Sequence, residues 1–186
     1  MHKKIIVWKG CYDSTTEYVE ISQGESIIVR GHITGEENTI PYFVSYILHI
    51  NLQWEVQSVS LSTKSTEPVD FYFEKKNNSW LDKDGNEMAA LKDCIDIDIS
   101  LTPFTNTLPV RRLQLPAGET EEIRVLYFKL PEGEFYPMEQ RYTNIDGRFY
   151  KYENVDGGYA AVLELDEDGM VIYYPGRWQR AFPEVD

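Results

Sequence analysis

Hydrophobic and polar residues alternate with a period of two along most of the chain. Leu48, Ile50, Leu52, Trp54 and Val56 alternate with His49, Asn51, Gln53, Glu55 and Gln57. That period belongs to a strand with one buried and one polar face. The phase then slips, because Val59 and Leu61 continue opposite Ser58, Ser60 and Ser62. A one-residue slip predicts a β-bulge or sharp bend near Gln57 and Ser58, of the kind found where a sheet curls toward a barrel. Ile27, Val29 and Ile33 alternate with Arg30, His32 and Thr34, and Val69, Phe71 and Phe73 with Asp70 and Glu74. Ile123, Val125 and Tyr127 enclose Leu126 and Phe128, a pattern that predicts a strand covered on both faces.

Turn chemistry organises these runs. Asp-Gly stands at 84–85, 146–147, 156–157 and 168–169. Between apolar runs it is the strongest short hairpin signal. Residues 142–145, 148–152, 159–165 and 170–174 are thus expected as consecutive antiparallel neighbours. Helix signals are few: one or two turns at Glu87 to Lys92, and a short helix over Phe104 to Leu113 that Pro109 is expected to interrupt by removing a backbone donor. The predicted fold is mainly β, a single curled antiparallel sheet or barrel-like roll with one or two short helices. At 186 residues, with no linker, one domain over 1–186 is expected.

Charge narrows the partners. The net charge of −13 disfavours nucleic acid and anionic lipid surfaces, since phosphate needs clustered Lys and Arg. It leaves room for a neutral or cationic small ligand. There is no run of 18 apolar residues and no signal-peptide pattern, so residues 1–9 are read as a first strand and the location as cytoplasmic. Cys11 and Cys94 are expected as reduced thiols.

Residues 82–87 and 166–169 look faintly like calcium loops, but their glycines come at the wrong position and hairpin turns are expected instead. His2, His32 and His49 have no metal-ligand spacing, and no nucleotide or hydrolase motif is present. No cofactor or metal is expected.

The segment from Cys94 to Leu113 stands apart. It holds Asp96 and Asp98 on one strand face, a Pro-bounded turn with Thr105 and Asn106, and the pair Arg111 and Arg112. Two carboxylates spaced about 7 Å by two residues of rise suit acid and base roles on a sugar. They also suit bidentate pairing with the two arginines if the chain folds back after Pro103. Eight of the thirteen tyrosines lie from Tyr127 onward, followed by Trp178. Such side chains suit a cavity wall for an acyl chain and sugar, and equally an ordinary sheet core.

The same segment resembles the block C-I-D-V-D-L-S…T-P-F-T-N-T-L-P-I-R-R-L of the bacterial glycolipid-binding family, formerly a domain of unknown function. The stretch Asp168 to Trp178 is similar to that family's D-G-L-V-x-x-Y-P-G-x-W close. The resemblance implies a curled, barrel-like fold similar to the lipoprotein carriers of the bacterial envelope. It also implies a glycolipid or other amphipathic small molecule as ligand. Candidate ligand contacts are Asp96, Asp98, Thr105, Asn106, Arg111, Arg112, Tyr174 and Trp178. Three uses stay open: a binding module, a sugar-directed enzyme using Asp96 or Asp98, and a structural protein that dimerises along a free sheet edge.

Overall fold

The computed structural model describes residues 2–182; Met1, first of the residues expected in the opening strand, lies outside them. Among the described residues fourteen strands form one sheet. The first seven are β1 (His2–Gly10), β2 (Thr16–Gln23), β3 (Ile27–Glu37), β4 (Ile40–Ile50), β5 (Val56–Lys64), β6 (Asp70–Lys76) and β7 (Ser79–Asp82). Then come β8 (Asp96–Ile99), β9 (Thr120–Lys129), β10 (Glu134–Asn144), β11 (Phe149–Asn154), β12 (Tyr159–Leu165), β13 (Val171–Tyr174) and β14 (Trp178–Arg180). The order is β7 through β1, then β14 back through β8, so the first and last strands are neighbours. The mainly β expectation holds, with one exception to its antiparallel character: β8 runs parallel to β9.

The sheet curls until its two ends meet through side chains rather than ladder hydrogen bonds. Phe71 on β6 lies 5.6 Å from Phe128 on β9, and Phe73 lies 5.0 Å from Phe135 on β10. Trp80 Nε1 on β7 donates to the Cys94 carbonyl at 2.8 Å. Inside the curl, register partners line up as buried rows. Ile21, Val29, Leu48, Val59 and Phe73 form one across five strands. Trp8, Glu17, Ile33, Val44 and Thr63 form another, with a carboxyl between Trp8 and Ile33.

Two expected features are corrected. The alternation from Leu48 to Val56 is not one strand: β4 ends at Ile50, and residues 51–55 form a turn. The Asn51 side chain accepts from the backbone N–H of Gln53 and Glu55, at 3.0 and 2.9 Å. Such local bonds replace the ladder. Leu52, expected on the buried face, is 51% exposed. The slip that follows is a real bulge, since His49 faces Ser58 while Ile50 faces Val56, leaving Gln57 unpaired. Pro109 also interrupts nothing. After a 3-10 turn at Phe104–Asn106, helix α1 runs Thr107–Leu113. Pro109 falls in its first turn, where a missing N–H breaks no intrahelical bond.

The remaining short helical turn is Ala89–Leu91. All four Asp-Gly pairs sit in turns. The two loops resembling calcium sites are closed on themselves. Asp82 Oδ1 accepts from the N–H of Asp84 and Asn86, and Asp166 Oδ1 from those of Asp168 and Met170. Both cysteines are free thiols, and burial pushes Cys94 up to about 11.

Gly31 shows how tightly one interior contact is built. It pairs across β3 and β4 with Tyr46, and a Cβ at Gly31 would lie 2.1 Å from the Tyr46 ring. Only glycine leaves room for that ring, whose hydroxyl donates to Glu17 at 2.7 Å. Gly31→Ala is expected to displace Tyr46 and cost about 1–3 kcal/mol. An unchanged thermal midpoint would show that the ring has another place to go.

Candidate functional site

The stretch from Thr102 to Val110 is buried throughout and lies inside the curl. Its contacts reach both halves of the sheet. Thr102 Oγ1 donates to Glu17 on β2 at 2.7 Å. Tyr142 on β10 donates to Asn106 Oδ1 at 2.9 Å. Thr107 Oγ1 lies 3.6 Å from Met170 Sδ, and Phe104 and Leu108 are fully buried. Residues 102–110 of the segment singled out in the sequence therefore form a plug inside the curl.

One chamber of about 200 Å³ remains beside the plug. Seven adjacent strands, β8 through β14, each present a side chain to it: Asp98, Tyr127, Met138, Tyr152, Tyr159, Tyr174 and Trp178. Thr102 and Asn106 of the plug and Arg177 also line it. Ser100, Tyr127 and Arg177 are shared with a wider cleft of about 540 Å³, so they stand at the junction. A single drug-sized site spans roughly 300–1,000 Å³. The chamber thus holds about one ring-sized group, and the cleft what is attached to it.

The two aspartates of β8 have separate roles. Asp96 is buried and receives the Arg112 guanidinium as a fork, Nε to Oδ1 at 3.1 Å and Nη2 to Oδ2 at 2.5 Å. It does not line the chamber. Asp98 does, and its oxygens accept from Thr105 Oγ1 at 2.9 Å and Gln140 Nε2 at 2.7 Å. Burial pushes its carboxyl above the usual range, against the lowering effect of those two bonds and of Arg177. The expected cluster of two aspartates with two arginines is not formed. Arg111 instead lies over the Trp54 ring at 5.1 Å, with Asp168 at 4.0 Å. An Arg beside an exposed face has both an aromatic and a carboxylate within reach, and the turn at residues 51–55 brings that ring to it.

Of the eight candidate contacts, Asp98, Asn106, Tyr174 and Trp178 line the chamber, and Thr105 supports Asp98 from behind. Asp96, Arg111 and Arg112 do not face it. Gln140 and Arg177 escaped the sequence reading. Gln140 shares the phase of the buried Tyr142 and Asn144 on β10, and a buried amide in an inward phase is the signal that was available. Burial raises the hydroxyl pKa of Tyr127, Tyr152 and Tyr174, so these groups face the chamber as neutral donors and acceptors.

Among its described residues, the chain is a mainly β protein built on one large curled sheet with one short α-helix. Residues 5–180 match the model of the family described as "Putative glycolipid-binding", and the chain belongs to that family. A crystal structure of a DUF1089 family protein from Pseudomonas aeruginosa is similar to it, with a TM-score of 0.81 and 35% sequence identity. The match covers 88% of this chain and 91% of that one. No curated protein matches the chain. Among the described residues, no helix is long and apolar enough to cross a membrane.

Proposed function

We propose that the protein binds an amphipathic small molecule, a glycolipid or lipid-like compound, with its headgroup in the Asp98 chamber and its chain in the adjoining cleft. The observation that carries this reading is a hydrogen-bonding carboxylate and five aromatic side chains around one ring-sized space. Sugars present hydroxyl donors in their ring plane and C–H faces above and below it. Carboxylate and amide oxygens suit the first, and Tyr and Trp rings the second. Leu101, Leu130 and Pro131 give the otherwise charged cleft wall an apolar strip along which the start of a chain could lie. Glycoside hydrolysis by two carboxylates fits less well, because both must flank one bond and Asp96 is turned to Arg112.

The test is a titration of intrinsic tryptophan fluorescence with octyl β-D-glucoside below its micelle concentration, Trp178 being the one of the four tryptophans that lines the chamber. Saturable change is expected in the wild type, weakened about tenfold, or ~1.4 kcal/mol, in Tyr174→Ala. Native mass spectrometry of freshly purified protein adds a second readout, a retained amphiphile. A flat titration together with a clean apo mass would sink the reading.

A further inference from the structure

Two carboxylates on one short strand have unequal partners. Asp96 is neutralised by Arg112. Asp98 has no ion pair within 4.0 Å among the described residues; only the neutral Thr105 and Gln140 bond to it. A largely desolvated carboxylate without a direct ion pair is costly, and Asp98 lines the chamber. Aromatic side chains make up much of the remaining wall, and ring faces attract cations through their quadrupole. Beyond the junction, the cleft is rimmed by Asp13, Glu36, Glu37 and Glu132.

Two basic residues lie along this path. Lys129 is held by Glu132 at 3.2 Å and Glu134 at 3.5 Å. Arg177 lies over the Tyr159 ring at 5.5 Å and is exposed. Arg177 also lines the chamber and its charge lowers the pKa of the Asp98 carboxyl, at longer range than an ion pair and partly screened by water. Asp98 is the carboxylate of the chamber wall, and Arg177, at the junction with the cleft, offsets it only in part. The net charge of −13 adds long-range attraction for cations.

We infer that the headgroup taken by this chamber carries an ammonium group, as in an amino sugar, and that the ammonium pairs with Asp98. The inference rests on the chamber being the ligand site. It names the feature by which the protein would choose among amphiphiles: amine-bearing headgroups over neutral ones, and both over phosphorylated ones.

Calorimetric titration of the full chain decides it, with three octyl glycosides: glucoside, 2-amino-2-deoxyglucoside and its N-acetyl counterpart, at a pH where the amine is protonated. The amino form is expected to bind at least about tenfold more tightly than either neutral form. Acetylation removes the charge and keeps the ring, so this comparison needs no altered protein. In Asp98→Asn the preference is expected to shrink to within about twofold, and added salt to weaken the amino form most. Equal affinity for all three would overturn the ammonium inference and leave headgroup binding standing. A preference that persists in a folded Asp98→Asn would also overturn it, by placing the cation elsewhere. If none of the three binds, the binding reading falls, and the inference with it.

Discussion

Arg112→Met is expected to destabilise the protein by about 3–5 kcal/mol, the cost of leaving a buried carboxylate without its partner. The size follows from burial. Asp96 is 0% and Arg112 14% exposed at the side chain, so water cannot replace the lost fork. Burial already pushes the Asp96 carboxyl upward, and Arg112 is the main group opposing it. The partner substitution separates charge from packing. Asp96→Val combined with Arg112→Met is expected to recover most of the loss, because replacing both members of a buried pair with apolar groups is often neutral. Urea unfolding of the two single variants and the double variant gives the coupling directly. Additive losses would mean that the pair contributes little beyond its separate contacts.

The second large effect is a pH dependence built on Glu17. Its carboxyl is 0% exposed in the row between Trp8 and Ile33. Tyr46 and Thr102 donate to its two oxygens at 2.7 Å each. Burial outweighs those bonds and raises the group from 4.5 to about 8. The native state therefore holds this proton more tightly than the unfolded chain. The stability it supports is complete below about 4.5 and declines as pH rises, until it is lost above about 8. The slope approaches ~1.4 kcal/mol per pH unit across that window. Asp96 and Asp98 are shifted in the same direction and steepen the lower part.

Glu17→Gln keeps the shape and the hydroxyl contacts but cannot ionise. It is expected to flatten the slope between pH 5 and 8 and to exceed the wild type in stability at pH 8. Guanidinium unfolding at four or five pH values reads this. Identical slopes for the two proteins would show that Glu17 is ionised in the folded state.

Glu17 also shows what could have been read earlier. It shares the odd phase of Val19 and Ile21, the buried face of β2. A carboxyl in an inward phase marks either a partner or a raised pKa, and that signal lay in the alternation itself. Gln140 on β10 is the same case. Other features were not legible. Nothing in the alternation from Leu48 to Val56 showed that Asn51 would bind its own backbone and start a turn, because Asn tolerates both states. The pairing of Arg112 rather than Arg111 with Asp96 depends on how α1 is rotated, and adjacent residues on a helix point about 100° apart.

Period-two alternation, Asp-Gly turns and the near absence of helical periodicity were enough to determine a curled, mainly β protein, because strand faces and hairpins are set by neighbouring residues. The composition of the Cys94 to Leu113 block was enough to mark it as unlike the strands. Only the tertiary structure decided that residues 102–110 of this block enter the curl, that Asp96 is spent on Arg112 and Asp98 is not, and that seven strands bring at least one side chain each to a common space. Those outcomes depend on residues far apart in sequence. The docking of the plug inside the curl brings them together, and no local pattern encodes it.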